Sequence, residues 1–194
     1  MAAVTERHPF EPFLPENARV LFLGSFPPQP KRWSMEFYYP NFINDFWRVV
    51  GLVFYGDKDR FADTKAKKFK LREIKDFCSD KGIALYDTAT EVRRLKDNAS
   101  DKFLEVVEPT DIGALLKRIP DCRAVVTTGQ KATETLCSLF GTEPPPMGGH
   151  IPVTLDGRDL DFYRMPSTSR AYPLSLQRKA DAYRRLFQDL GIVP

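Results

Sequence analysis

Histidine and cysteine are scarce in this chain of 194 residues, which holds two of the first and three of the second. Cys78, Cys122 and Cys137 stand far apart and form no C-x-x-C pair. Neither a disulfide framework nor a zinc or iron–sulfur site built on paired cysteines is therefore expected. His8 and His150 are isolated as well, and His150 follows the loop-like stretch PPPMGGH. A Ser-His-Asp triad has little material to draw on. The chemistry is expected to use no histidine base, no metal and no cofactor. No apolar run approaches the roughly 20 residues of a membrane span. The opening MAAVTERHPFEPF lacks the apolar segment of a secretory signal, so a cytoplasmic protein with no membrane partner is expected. A large charge imbalance is missing too. Lys and Arg number 29 and Asp and Glu 26, leaving +3, which tolerates a polyanionic partner without demanding one. There is no G-x-x-x-x-G-K-[ST] loop to cradle a nucleoside triphosphate. No internal repeat, low-complexity tract or domain boundary interrupts the sequence.

What is present is a globular composition, 42% hydrophobic and 28% charged, long enough for one domain with a sizeable core. Residues 1–18 are Pro-rich and read as an N-terminal arm on the surface, and residues 19–194 as a single domain. Arg19–Leu23 and Gly24 read as a buried strand with its stop. Ile43, Phe46, Trp47 and Val50 fall on one face of a helix that Asn41 or Asn44 could begin. The pattern predicts a second helix over Asp63–Asp80, ended by Gly82, whose lysines form either a solvated face or a phosphate-facing patch. Ile83–Tyr86 is the next strand, ending at Asp87, and a polar segment follows. A short helix is expected over Asp111–Arg118, a strand over Ala124–Thr127 and a helix over Gln130–Phe140. Ile151–Leu155 and Leu160–Met165 flank the hairpin signal Asp156-Gly157. A last helix starts near Ser175. Strands alternate with helices throughout, which argues a three-layer α/β/α fold around a mostly parallel sheet.

In such sheets ligands bind beyond the carboxyl ends of the strands. Four segments collect there: GSFPP after the first strand, DTAT after the second, TGQKA after the third and PSTSRAYP after the strand ending at Met165. Each has an ordinary structural explanation as a stiffened turn, a helix start or a Ser/Thr turn. Together they offer aromatics (Phe26, Tyr38, Tyr39), the amide of Asn44, the hydroxyls of Ser25, Ser167, Thr168 and Ser169, and backbone N–H groups. Aromatics stack on flat rings, an amide reads the edge of a base, and hydroxyls and loop N–H groups hold phosphates. The combination suits a nucleobase on a phosphate backbone.

These residues resemble the uracil-DNA glycosylase superfamily, and within it the branch that removes hypoxanthine from deoxyinosine. The first family motif, G-S-[apolar]-P-G followed by Y-Y and N-x-F-W, is matched by Gly24-Ser25-Phe26-Pro27-Pro28, Tyr38-Tyr39 and Asn44-Asp45-Phe46-Trp47. GIALYD, TTGQKA and MPSTSRAYP resemble its later strand ends. The resemblance implies a central four-stranded, mostly parallel sheet and a monomer that acts on DNA containing a damaged base. The implied reaction is hydrolysis of the N-glycosidic bond of a flipped hypoxanthine or uracil, leaving an abasic site, without a cofactor. It places Ser25, Phe26, Pro27, Tyr39 and Asn44 at the base, with Tyr39 stacking on it. Ser167 through Tyr172 would form the loop entering DNA. Ser167 and Ser169 would grip phosphates beside Thr168, while Arg170, Ala171 and Tyr172 fill or border the gap. Gln130 and Lys131 would face the same DNA. Asn44 is implied as the key catalytic or base-contacting group, against its reading as a helix cap. Asp87 would contact base or water, or simply cap a turn.

The chain also departs from the pattern. Phe26 stands where many relatives carry a water-positioning Asp or Asn. Pro28 replaces the motif's usual glycine, Arg170 replaces a proline, and Met165 sits where some branches carry a catalytic histidine. A relative that binds nucleic acid without excising a base, or a small-molecule enzyme on the same scaffold, therefore competes with the glycosylase reading.

Overall fold

The apolar run Val20–Gly24 is buried along its whole length, the mark of a strand covered on both faces. The computed structural model describes residues 4–96 and 101–193. In chain order their strands and helices are β1 (Thr5–Arg7), β2 (Val20–Gly24), α1 (Phe46–Tyr55), β3 (Ala62–Asp63), β4 (Lys68–Phe69), α2 (Leu71–Lys81), β5 (Ile83–Asp87), β6 (Ala89–Arg94), β7 (Leu104–Pro109), α3 (Ile112–Arg118), β8 (Ala124–Thr128), α4 (Gln130–Phe140), β9 (His150–Leu155), β10 (Arg158–Met165) and α5 (Leu176–Asp189). The central sheet has the order β5-β2-β8-β10-β9. Its first four strands are parallel, and β9 runs antiparallel to β10. The sheet is thus five-stranded rather than four-stranded, because the hairpin predicted at Asp156-Gly157 adds its first arm as an edge strand.

Side-chain alternation sorts the helices into two layers. Phe22 of β2 meets Phe46 of α1 and Phe187 of α5, with ring centroids 5.6 and 5.7 Å apart. Phe54 of α1 meets Phe77 of α2 at 4.8 Å, so α1, α2 and α5 share one face. Thr127 of β8 faces the other way, where its hydroxyl bonds that of Thr133 on α4 at 2.8 Å. The β5-to-β8 crossover runs opposite to the β2-to-β5 one, so right-handed connections put α3 on the α4 side. Side-chain acceptors and glycines close the helix ends. Asp111 and Ser175 side chains accept from Ala114 and Arg178 N–H groups, and Gly56, Gly82 and Gly141 close helices in the left-handed region. Cys78 and Cys122 are buried and Cys137 half-buried, and burial pushes the Cys122 thiol up to about 11. No helix among the described residues is long and apolar enough to cross a membrane.

Four expectations need correction. The helix expected over Asp63–Asp80 begins only at Leu71. Asp63 Oδ1 accepts from the N–H groups of Lys65 and Ala66 at 3.0 and 2.9 Å, which turns the chain and lets β3 pair with β4. Ile43 lies before α1 and is exposed. The polar segment after Asp87 forms β6 and β7, a small antiparallel sheet of order β1-β6-β7. Only its inner face is apolar, where Val92 and Leu104 pack on Phe26. Finally, much of the supposed surface arm, among its described residues, is built in. β1 pairs with β6, and Phe13 exchanges backbone hydrogen bonds with Leu85 at 3.0 and 2.9 Å, covering the edge of β5.

Candidate active site

The four parallel strands end at Gly24, Asp87, Thr128 and Met165, and all four of these residues line one cavity of about 1010 Å³. Ser25, Phe26, Pro27, Tyr39, Asn44, Gln130, Lys131 and the loop Ser167–Tyr172 line it as well. These candidate base- and DNA-contacting residues therefore lie around one cavity, at the edge to which a parallel sheet delivers its strand ends. A smaller hollow of about 630 Å³ lies by Arg19, Lys81 and Arg123, at the opposite ends of the strands and away from these loops.

Tyr39 is a fixed wall. Its ring stacks on Phe46 with centroids 3.8 Å apart and planes 7° from parallel, and its hydroxyl bonds Thr128 Oγ1 at 2.6 Å. Its φ of +52° is unusual for a bulky residue and costs energy that its surroundings must hold. Burial raises its phenol well above the ordinary tyrosine range, so it stays protonated. One ring face is taken by Phe46, so a flat ligand could stack only on the other.

Asn44 is held just before α1. Its Oδ1 accepts from the Phe46 N–H at 2.9 Å, so the amide does act as a helix-start acceptor. That bond also fixes its orientation, because a donor can only face the oxygen. Nδ2 is left as the atom able to donate elsewhere. The buried Arg48 steadies the same turn by donating to the carbonyls of Phe42 and Asn44 at 2.6 and 3.3 Å. Phe26, by contrast, turns most of its ring toward Ala89, Val92 and Leu104, and Pro28 offers its carbonyl to Trp33 Nε1 at 2.6 Å.

The closing loop is anchored from below. Asp45 N–H donates to Thr168 O at 2.9 Å. Its carboxylate meets Arg170 Nε at 3.1 Å and Lys179 Nζ at 3.1 Å, and Lys179, fully buried, also donates to Ser169 O at 2.8 Å. Ser167 and Ser169 accept at Oγ from the N–H groups of Ser169 and Ala171. Their hydroxyl protons therefore remain able to donate outward. Gln130 is committed sideways, to Glu134 at 2.8 Å and Arg164 at 3.0 Å.

Two carboxylates sit deeper. Asp87 Oδ2 pairs with His8 Nε2 at 2.8 Å. Asp101 hydrogen-bonds Ser25, and burial, with the charge of Asp87 behind it, raises its carboxyl above the usual range. His8, Asp101, Asp45 and Lys179 were not found by sequence reasoning. Only Lys179 left a signal there, a lysine on the apolar stripe of the last helix beside Ala180 and Tyr183. His8 was set aside as isolated, yet it bonds Asp87, which lines the pocket.

No protein-family model matches the chain. A hypoxanthine DNA glycosylase from Methanosarcina acetivorans is 30% identical over 125 residues, spanning 64% of this chain and 72% of the relative. The solution NMR structure of a Methanosarcina acetivorans protein described as a candidate uracil DNA glycosylase matches with a TM-score of 0.61 at 23% identity. That match covers 97% of this chain and 99% of the other, and shows a shared fold.

Proposed function

Because the chain belongs to the uracil-DNA glycosylase superfamily, on its hypoxanthine-DNA glycosylase branch, we propose that it excises a deaminated base, hypoxanthine or uracil, from DNA and leaves an abasic site. The observation that carries this reading is the convergence of Tyr39, Asn44 and Asp87 with the closing loop in one cavity. The target base leaves the stack at a cost of about a few kcal/mol. Ser167 and Ser169 hold the flanking phosphates beside Thr168, and Ala171 and Tyr172 border the vacated space. Arg170, tethered through Nε to Asp45, presents its outer nitrogens to the backbone, and Lys131 adds charge. The base lies along the open face of Tyr39.

The bond from C1′ to the ring nitrogen then breaks, and its electron pair leaves with the base. Asn44 Nδ2 donates to the base carbonyl where this charge collects, a use of preorganised donors that dominates many catalytic sites. Asp87 orients the water whose oxygen bonds C1′, and the water's proton passes through the carboxylate to solvent. No residue forms a covalent link to the sugar, so the strand stays intact until alkali is added. The protein works as a cytoplasmic monomer.

Single-turnover cleavage of oligonucleotides carrying one uracil, hypoxanthine, xanthine or mismatched thymine, single- and double-stranded, tests this reading. Excision of hypoxanthine or uracil is expected, and Asn44→Ala should slow it by about 10²–10³ in rate, the loss seen for one such donor. Phe26 and Pro28 favour a second reading, a relative that binds DNA without cutting. Tight DNA binding with no excision at high enzyme excess would establish that one instead.

A further inference from the structure

The two oxygens of Asp87 have different surroundings, each set by another part of the chain. Oδ1 lies against Gly24, so close that a Cβ there would sit 2.5 Å from it. Oδ2 is taken by His8. His8 comes from the far N-terminal segment, yet its side chain is only 3% exposed. Its N–H donates to Thr90 O at 2.8 Å, its ring packs on Tyr86 and Phe26 at 4.6 and 5.2 Å, and Phe13 is clamped to Leu85 a few residues on. The strand pairing of β1 with β6 and this clamp hold the imidazole at the end of β5.

The partners of the two ring nitrogens decide which atom carries the proton. Nδ1 lies 3.1 Å from the Phe10 N–H and 2.9 Å from Phe10 O, so it can accept or donate. An ionised Asp87 can only accept, so a neutral ring keeps its hydrogen on Nε2, facing Oδ2. A charged ring would add a bond from Nδ1–H to Phe10 O, 2.9 Å away, and still donate through Nε2. In either state the N–H points at Oδ2.

We infer that His8 is a positioning residue for excision: it pins Oδ2 of Asp87 so that Oδ1 faces the cavity and orients the attacking water. This inference rests on the proposed role of Asp87 and adds to it a residue in the segment that reads as a surface arm. His8 touches neither base nor sugar, and acts through the carboxylate alone.

The test compares His8→Leu, which keeps bulk and removes the donor, with His8→Gln, whose amide N–H can reach the same oxygen. In single-turnover excision, His8→Leu should slow the chemical step on the order of tenfold to a hundredfold, as when a partner orienting a reacting side chain is removed. DNA affinity should stay unchanged, and His8→Gln should recover most of the rate. In an Asp87→Asn background, His8→Leu should add nothing further. A rate within twofold of wild type for His8→Leu, or a loss that adds in full to that of Asp87→Asn, overturns the inference. The imidazole ¹⁵N spectrum of the wild-type protein reads the same point without a variant that must fold. A protonated Nε2 is required, and a neutral ring protonated at Nδ1 instead would sink the proposal. Wild-type protein that excises no deaminated base would remove the function itself, an outcome distinct from normal excision that ignores His8.

Discussion

Asp101 shows what one residue at the cavity costs the fold. Its carboxyl is raised above the ordinary value, chiefly by burial, so the folded protein binds the proton more tightly than the unfolded chain. The stabilisation this gives is complete below the unfolded value, about 3.9. It disappears as pH rises through the folded value. At neutral pH the raised carboxyl costs stability, by ionising in a buried place or by taking up a proton, and an amide would not carry that cost. Asp101→Asn should therefore melt at a higher temperature than wild type at pH 7, with the gap closing toward pH 3. Thermal melts at the two pH values decide it; a variant that gains nothing at pH 7 refutes the assignment. Destabilising groups held at a cavity are the usual signature of a working site. Single positions also mark the limit of what the sequence tells. Asp87 was named as the end of a strand, and Tyr39 and Asn44 from the motif that runs on from the first strand. His8 and Asp101 were not, because their places depend on the pairing of β1 with β6 and on the turn before β7, which no local pattern encodes.

The closing loop and α5 form one mechanical unit through Lys179. Its ammonium is fully buried and held by Asp45 and Ser169. Breaking a buried pair by removing one partner leaves the other charge without compensation. Lys179→Ala should cost about 3 kcal/mol of stability, the lower end of the usual range, since Arg170 still faces Asp45. Urea unfolding measures it, and adding Asp45→Asn should return part of the loss. Equal stability of Lys179→Ala and wild type would show that the clasp contributes nothing. Elements with helical periodicity and caps, such as α4 and α5, were read with their ends nearly right. The sheet of β1, β6 and β7 was not, because strands with one apolar face and charged residues such as Arg93 and Glu105 outward look like a polar loop. The helix expected from Asp63 failed for a different reason: a single carboxylate captured two backbone amides before a turn could form.

Charge matters most when its distribution is considered. The chain carries only +3, yet the cavity and its rim hold Arg32, Arg94, Lys102, Lys131, Arg164 and Arg170 against Asp87, Asp101 and Glu134, six basic groups to three acidic. An excess equal to that of the whole protein thus sits at one edge of the sheet, where it steers and holds a polyanion. Binding to undamaged duplex should weaken steeply with salt, and Lys131→Ala should flatten the slope of log K against log salt by about 0.9, the share of one phosphate contact. Titrations by fluorescence anisotropy across salt concentrations give both slopes. Parallel lines of unchanged steepness would remove Lys131 from the interface. The architecture, and the edge where a ligand would lie, followed from strand–helix alternation alone; the electrostatic focus became visible only once the strand ends were brought together.

The buried thiols have a use of their own. Cys78 lies in α2, Cys122 stands two residues before β8 of the central sheet, and the Cys122 thiol is pushed up to about 11. A thiol that is hidden and protonated does not meet an alkylating reagent until its surroundings open. Each cysteine is therefore a timer for its own layer. Mass spectrometry of protein pulse-labelled with such a reagent would report, without any introduced residue, whether the helices peel away before the sheet comes apart.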